Sequence, residues 1–265
     1  MILHILKSLW GLLGIAIYGC THVLVAWPTM GFCHLINRLF VKREYQRHRL
    51  YFAYFDFWSV TYLWMMRGFF RMKIQFEGLD DIPKNEAVIL VSDHLSFFDH
   101  LINAELLRRL GTPHALWAMK AQVYNYWGIG GWAEAVGCAA LKRGDDREGD
   151  LNHLEGMARI AAENNESVLI YPQGRRNLDG DAFAHFAGFE RLASTLSLAP
   201  IVYVHLDFGP GLYAKTIWQM ADFMGRTITV TVTRAERSVH EDLLASFQNH
   251  FGIQKKPHQR RSVAK

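Results

Sequence analysis

A histidine and an aspartate that could form a catalytic pair stand five positions apart in the stretch Ser92-Asp-His-Leu-Ser-Phe-Phe-Asp99, directly after an apolar run. On one continuous helix, five residues correspond to about 500° of rotation, so His94 and Asp99 would point about 140° apart. They can meet if His94 lies in a strand-to-helix turn and Asp99 in the first helical turn. The carboxylate would then fix the imidazole tautomer, and the other ring nitrogen could act as a general base.

The same residues also fit a helix-capping pattern. Ser96 is a candidate N-cap, and Asp99 follows three residues later, where a capping box has Glu or Gln. In this interpretation Asp99 needs no chemical role, although both roles are compatible. Asp93, His94, Asp99 and His100 could instead hold a metal ion, but no second group of ligands accompanies them, and no metal site is predicted.

Basic residues follow several apolar runs. Lys120 and Arg143 each follow one such run, and Arg176 belongs to the turn Tyr171-Pro-Gln-Gly-Arg-Arg-Asn177. Taken singly, each is more simply interpreted as a solvated cation. Ligands of open α/β sheets bind beyond the carboxyl ends of the strands. We therefore expect these cations to face His94, and arginine side chains match the geometry of phosphate groups.

The elements that must position these residues form an alternating pattern. Helical periodicity is found at 97–110, 151–164 and 183–196, between short apolar runs that predict strands. This alternation predicts an α/β fold with a mixed, largely parallel sheet flanked by helices. The predicted strands are 73–76, 87–91, 115–119, 138–141, 168–171, 200–206 and 227–232.

The N-terminal residues are the compositional outlier. No Asp, Glu, Lys or Arg occurs between Lys7 and Arg38, and about 20 apolar residues suffice to span a bilayer. Residues 1–41 are therefore predicted to be a retained membrane anchor, either a single span or a hairpin broken at Pro28 to Gly31. A cleaved signal peptide fits less well, because no A-x-A-like site follows the apolar run.

The remaining regions are also distinguished by composition. Basic residues at 42–49 favour a cytoplasmic location for that end of the anchor. The aromatic-rich segment 42–71 is predicted to be an interfacial helix, with an ordinary packed helix as the alternative. An α/β domain at 72–250 and a basic tail at 251–265 follow. The net charge of +4 and the lack of basic runs interleaved with aromatics argue against nucleic acid.

Four ordered motifs make the chain similar to the glycerolipid acyltransferases of the lysophosphatidic acid acyltransferase type. That family is marked by N-H-x-S-x-x-D, G-x-x-x-x-x-R, F-P-E-G-T-R and an apolar run that opens with proline. The resemblance covers roughly residues 72 to 235, and Lys120 falls where the family has a lysine. The matching residues are His94, Ser96 and Asp99, then Gly137 and Arg143, then Pro172, Gly174 and Arg176, then Pro200.

The resemblance implies a mechanism. His94, oriented by Asp99, would deprotonate the hydroxyl of a lysophospholipid acceptor. The oxygen would then attack the thioester of acyl-CoA or acyl carrier protein directly, without an acyl-enzyme. It implies no metal or organic cofactor, and membrane lipids as partners. The residues implied to bind substrate are Ser96, Lys120, Arg143, Gln173, Gly174, Arg175, Arg176 and Pro200.

The chain departs from the family motifs at positions that include 93, 173 and 175. Asp93 replaces Asn, Gln173 replaces Glu and Arg175 replaces Thr, so the turn at 172–176 is more cationic by two charges. Lysophosphatidic acid, acylated to phosphatidic acid, is the first choice of acceptor. The alternatives are acyl transfer or transacylation to another lysolipid, a glycolipid or an aminolipid, and a non-catalytic membrane lipid-binding protein. No oligomeric state is predicted.

Overall fold

The computed structural model describes residues 2–40, 44–96, 98–112, 114–126, 129–142, 144, 146–174, 186–209, 222–235 and 240–250. The α-helices are α1 Ile2–Thr21, α2 Trp27–Phe40, α3 Glu44–Phe69, α4 Asp99–Arg109, α5 Ile129–Val136, α6 Arg147–Asn164, α7 Phe186–Thr195 and α8 His240–His250. The strands are β1 Lys73–Glu77, β2 Ile89–Ser92, β3 Ala115–Lys120, β4 Ala139–Leu141, β5 Ser167–Ile170, β6 Ile201–Asp207 and β7 Thr227–Ala235.

The strands described here form one seven-stranded sheet in the order β1-β7-β6-β2-β5-β3-β4. The β6–β7 pair is antiparallel and the other neighbouring pairs are parallel. The predicted mixed, largely parallel α/β sheet is therefore confirmed. The central strands β2 and β5 are buried throughout, which explains why their sequences are apolar without alternation.

Helices cover both faces of the sheet. Successive strand residues face opposite sides, and residues paired across parallel strands share a side. Val91 of β2 pairs with Tyr203 of β6, whose ring packs against Phe189 of α7. Ser92 therefore faces the other side, where Asn103 of α4 donates to its hydroxyl. The turn between β2 and α4 lies at the carboxyl edge, between these two layers.

The end of α4 follows the sequence signal closely. Gly111 has a φ of 77°, a left-handed conformation that favours glycine. Its N–H donates to Arg108 O, and the next N–H, from Thr112, donates to Leu107 O. This double hydrogen bond is the Schellman motif, and it ends the helix at Gly111, one residue beyond the predicted range 97–110.

The apolar N-terminal segment is a continuous helix. A π-helical turn at His22–Ala26 joins α1 to α2 with helical backbone angles on both sides, so Pro28 lies inside the helix. The Thr29 hydroxyl donates to Val25 O and Ala26 O, which satisfies carbonyls at the irregular turn. The alternative of a hairpin folded at Pro28 to Gly31 is therefore wrong.

A hairpin does form, but with α3 as its second arm. The long helix and α3 run antiparallel along each other, and polar groups join them at several levels. These hydrogen bonds are Trp10 Nε1 to Phe69 O at 2.9 Å, His22 Nδ1 with Tyr62 OH at 2.8 Å and His34 Nδ1 with Tyr51 OH at 2.6 Å. On α3, Tyr51, Phe52 and Trp58 are buried, whereas Phe57 and Trp64 are exposed.

The long helix leaves most of its apolar surface uncovered. Leu9–Phe40 has a mean hydropathy of 1.7 in its most apolar window, only 17% of which is buried. By length and composition it could cross a membrane. The location of α3 at the lipid headgroups stays a prediction, and the basic tail at 251–265 lies outside the described residues.

Candidate active site

The turn between β2 and α4 brings His94 and Asp99 together. β2 ends at Ser92, the Asp93 N–H still bonds to Val204 O of β6, and the chain then turns to begin α4 at Asp99. The His94 Nδ1 atom lies 2.9 Å from Asp99 Oδ2. The predicted geometry, with the histidine in the turn and the aspartate in the first helical turn, is therefore present.

The Asp99 carboxylate accepts hydrogen bonds from other residues of the turn between β2 and α4. Its Oδ2 accepts the Leu95 N–H at 2.6 Å and the Ser96 N–H at 2.8 Å, and its Oδ1 accepts the Ser96 hydroxyl at 2.6 Å. The Ser96 Oγ in turn accepts the Phe98 N–H at 3.0 Å. Asp99 thus reaches back to the Ser96 N–H as the acidic residue of a capping box does. The box is incomplete, because Ser96 Oγ accepts from Phe98 and the N-cap residue of α4 is Phe98 rather than the predicted Ser96. The structural and the chemical roles of Asp99 therefore coexist.

The two partners differ in exposure in the way a base and its orienting group require. The Asp99 side chain is 0% exposed, whereas that of His94 is 27% exposed. Asp99 binds Nδ1, so the tautomer with the proton on Nδ1 leaves Nε2 as a free acceptor. An imidazole in this state can take a proton from a hydroxyl group that reaches its open edge.

Tyr171 supports the ring of His94 from one side. The two rings stack with centroids 4.4 Å apart and 25° between their planes. The Asn103 amide of α4 donates to the Tyr171 hydroxyl at 3.1 Å and to Ser92 Oγ at 2.9 Å. Burial and the nearby Asp99 carboxylate raise the pKa of Tyr171 well above its usual 10, so the phenol stays neutral.

A second set of polar contacts holds the turn from the opposite side. The Gln173 Oε1 accepts the backbone N–H of His94 at 3.0 Å, and its Nε2 donates to Asp93 Oδ1 at 2.9 Å. The other carboxylate oxygen of Asp93 binds His205 Nδ1 at 2.5 Å and the Leu206 N–H at 3.3 Å. Sequence reasoning missed His205, whose one signal was a polar residue near the end of an apolar strand.

Lys120 lies on the same edge of the sheet as His94. Trp117 pairs with Leu169 and Val91 pairs with Ile170, so Lys120 and Asp93 end up level with each other. They are two strands apart in the order β2-β5-β3, or about 10 Å. Arg143, Arg175 and Arg176 lie outside the described residues, although the described ends of β4 and of the turn after β5 lead into them.

Three residues expected to bind substrate have other roles in the structure. Ser96 is 1% exposed, and its hydroxyl is engaged by Asp99 and the Phe98 N–H, so it shapes the turn. Gln173 is 7% exposed, and both ends of its amide are engaged within the protein. Pro200 lies beside Val88 at the amino end of β6, since Ile89 pairs with Ile201, on the edge opposite His94.

The charge of the turn also needs a correction. The carboxylate that Gln173 lacks relative to the family motif is present on Asp93, 2.9 Å away. Relative to the family motifs, the carboxylate stands at position 93 instead of position 173, so no negative charge is lost. Of the replaced residues, only Arg175 changes the net charge. Gly174 has a φ of 66°, as a tight turn requires.

Among the described residues, no group of three His, Cys, Asp or Glu side chains could hold a metal ion.

A largely parallel sheet with an imidazole–carboxylate pair beyond the carboxyl ends of its strands is typical of α/β enzyme domains. The chain belongs to the acyltransferase family, whose model matches residues 73–205. No curated protein sequence matches it significantly. Its fold is similar to the crystal structure of the 1-acyl-sn-glycerophosphate (LPA) acyltransferase PlsC from Thermotoga maritima, with a TM-score of 0.60, 15% identity and 95% of each chain covered.

Proposed function

We propose that this protein transfers a fatty acyl chain from a thioester donor to the hydroxyl of a lysophospholipid at a membrane surface. The donor is acyl-CoA or acyl carrier protein, and the first choice of reaction is the conversion of lysophosphatidic acid to phosphatidic acid. The observation that carries the proposal is the hydrogen-bonded pair of His94 and Asp99 in a chain of the acyltransferase family.

The pair supports direct transfer. His94 Nε2 takes the proton of the acceptor hydroxyl, and Asp99 stabilises the imidazolium that forms. The hydroxyl oxygen attacks the thioester carbonyl, the C–S bond breaks, and the thiolate leaves. A thiol of this kind has a pKa of about 8.5, so its departure needs little help from an acid. A general base of this type contributes roughly 10²–10⁴-fold to the rate.

The acceptor class rests on basic residues that follow neighbouring strands in the sequence. Lys120 lies at the same sheet edge, and Arg143 and Arg176 follow the ends of β4 and β5 in the sequence. Arginine and lysine side chains there would bind the phosphate of the acceptor or of the donor. The crystal structure with the similar fold is that of an LPA acyltransferase, which supports the same class of acceptor.

The membrane location rests on the uncovered face of the N-terminal helix. Large apolar side chains are exposed at intervals from Leu9 to Phe40, for example Leu24. An exposed apolar surface of this extent is unfavourable in water and favourable in lipid. The basic residues at 42–49 support a cytoplasmic position for the catalytic domain. The lipid acceptor would then reach His94 from the bilayer.

The test is a substrate panel on purified protein in detergent or lipid. Wild-type protein is incubated with lysophosphatidic acid and other lysolipids, with acyl-CoA, with acyl carrier protein, or with no thioester. The proposal expects thioester-dependent acylation that His94→Ala abolishes. Acylation without a thioester would indicate transacylation between lipids. Lysolipid binding without turnover under every donor would indicate a binding protein and end the proposal.

A further inference from the structure

Besides the stacked ring of Tyr171, hydrogen bonds fix His94 at two points, and one of them is the Asp99 pair. The second is the backbone of His94 itself, whose N–H donates to Gln173 Oε1 at 3.0 Å. Gln173 comes from the turn after β5 and is almost fully buried. It therefore ties the His94 turn to the neighbouring strand, independently of the bonds within the turn.

The donor and acceptor pattern of this contact allows one arrangement. The His94 N–H can only donate, and an ionised Asp93 can only accept. Gln173 stands between them with one acceptor and one donor group, and it must turn Nε2 towards Asp93 and Oε1 towards His94. The carboxylate of Asp93 thus sets the orientation of the amide that holds His94.

The charge of Asp93 is itself compensated. His205 Nδ1 lies 2.5 Å from Asp93 Oδ2, and the hydrogen bond to Asp93 raises the pKa of His205 above its ordinary 6.5. The Asp93 side chain is largely buried while that of His205 is 55% exposed. When His205 is protonated, it places a positive charge against this buried carboxylate, which offsets the cost of burying it.

We propose that Asp93, Gln173 and His205 form a positioning unit for His94, in which positions 93 and 173 together accept one carboxylate but not two. The inference extends the proposed function, since it concerns how the same base is held. The family motifs quoted above have Asn at position 93 and Glu at position 173. The amide and the carboxylate have changed places here, and either arrangement offers one amide donor to one carboxylate acceptor.

If this pairing is correct, restoring the family residue at position 173 alone should impair the enzyme. Gln173→Glu restores the family residue but places a second carboxylate beside Asp93, which repels it and displaces the turn. Because a misplacement of about 1 Å can cost 10²-fold in rate, kcat should fall roughly 50-fold or more. Asp93→Asn leaves an oxygen for Gln173 Nε2 and should lower kcat less than tenfold. The double variant rebuilds an amide–carboxylate pair and should return to within about tenfold of wild type.

The experiment is this double-mutant cycle, with Gln75→Glu on the exposed edge strand β1 as a charge-matched control. Acyl-transfer kcat and acceptor KM are measured for each variant. Rescue of Gln173→Glu by Asp93→Asn, with KM within about threefold, is the expected result, because neither side chain is placed to touch the acceptor. A double variant no faster than Gln173→Glu, or a Gln173→Glu enzyme as fast as the control, overturns the proposal.

Thermal unfolding of the same variants separates this inference from the proposed function. Gln173→Glu should lower Tm by roughly 3 °C or more, and the second substitution should restore it. The Tm values of the single and double variants test the pairing of Gln173 with Asp93 without any activity measurement. They do so even if wild-type protein acylates no lysolipid, a result that would contradict the proposed function alone. If Gln173→Glu does not fold, Gln173→Met, which removes both bonds without adding a charge, must lower kcat about tenfold for the proposal to stand.

Discussion

Replacing Asp99 by asparagine separates the charge of this carboxylate from its shape. An asparagine oxygen in place of Oδ2 can still accept from His94 Nδ1 and from the Leu95 and Ser96 N–H groups. Its amide can donate to the Ser96 hydroxyl, which accepts as readily as it donates. We therefore expect the turn to persist, while the imidazolium formed during the reaction loses its counter-charge.

The size of the effect follows from the 2.9 Å separation of His94 Nδ1 and Asp99 Oδ2. Two unit charges at that distance interact by about 6 kcal/mol at an effective dielectric constant of about 20. Solvent reaches about a quarter of the His94 side chain, and the amide oxygen retains part of the attraction. A loss of about 3–4 kcal/mol of transition-state stabilisation remains, which is roughly 10²–10³ in kcat.

The assay is release of free thiol from the acyl donor at saturating acceptor, with lipid product measured in parallel. Asp146→Asn is the matched control, because Asp146 caps α6 through the Gly149 N–H and its charged partner among the described residues is Lys142 rather than a histidine. The control should stay within about twofold of wild type. An Asp99→Asn protein with wild-type kcat and wild-type Tm would refute the idea that the carboxylate charge acts through His94.

Three further predictions concern stability and are read from unfolding transitions. Burial raises the pKa of Glu166 from 4.5 to about 7, so the stability it contributes is lost as pH rises through that value. Glu166→Gln should therefore stabilise the protein at pH 8 by up to about 3 kcal/mol relative to wild type, and little at pH 4. Gly14→Ala places a methyl group 2.2 Å from the Phe70 ring and should destabilise the helical hairpin by about 1–3 kcal/mol, whereas Gly31→Ala meets open space and should not. Glu105 is buried and pairs with three arginines from α3 and α4. Burial alone would raise its pKa, but the arginine hydrogen bonds lower it overall. Glu105→Gln should lower stability by about 1–3 kcal/mol at pH 7, less as pH falls below 4.5; equal unfolding at pH 7 would contradict this.

Most of the sheet could be predicted because each strand is a local apolar run. Each of the seven predicted runs overlaps one strand of the sheet. The ends of run and strand differ by at most three residues. Helix α6 begins at Arg147, earlier than predicted, because its N-cap Asp146 precedes the apolar pattern. Helix α5 was missed since adjacent glycines, Gly130 and Gly131, lower helix propensity, which packing against α3 overrides.

In the site, as in the sheet, contacts between residues close in the sequence could be predicted and contacts between distant residues could not. The His94–Asp99 pair spans five residues, so a turn geometry written in the sequence could predict it. Gln173 meets Asp93 across 80 residues, and His205 meets it across 112. No periodicity encodes such contacts, because they depend on the order in which β2, β5 and β6 lie side by side. The helix predicted at 42–71 is present as α3, but its pairing with the N-terminal helix was not predicted, since the π-helical turn that accommodates Pro28 has no simple sequence pattern.

The most direct test of the account is the acyl-transfer rate of His94→Ala beside His153→Ala, an exposed histidine on α6. Both proteins are compared with wild type using one thioester donor and the best acceptor in membranes. We predict that His94→Ala loses at least about 100-fold in kcat with an unchanged unfolding transition, while His153→Ala keeps full activity. A His94→Ala enzyme that turns over at the wild-type rate would contradict it.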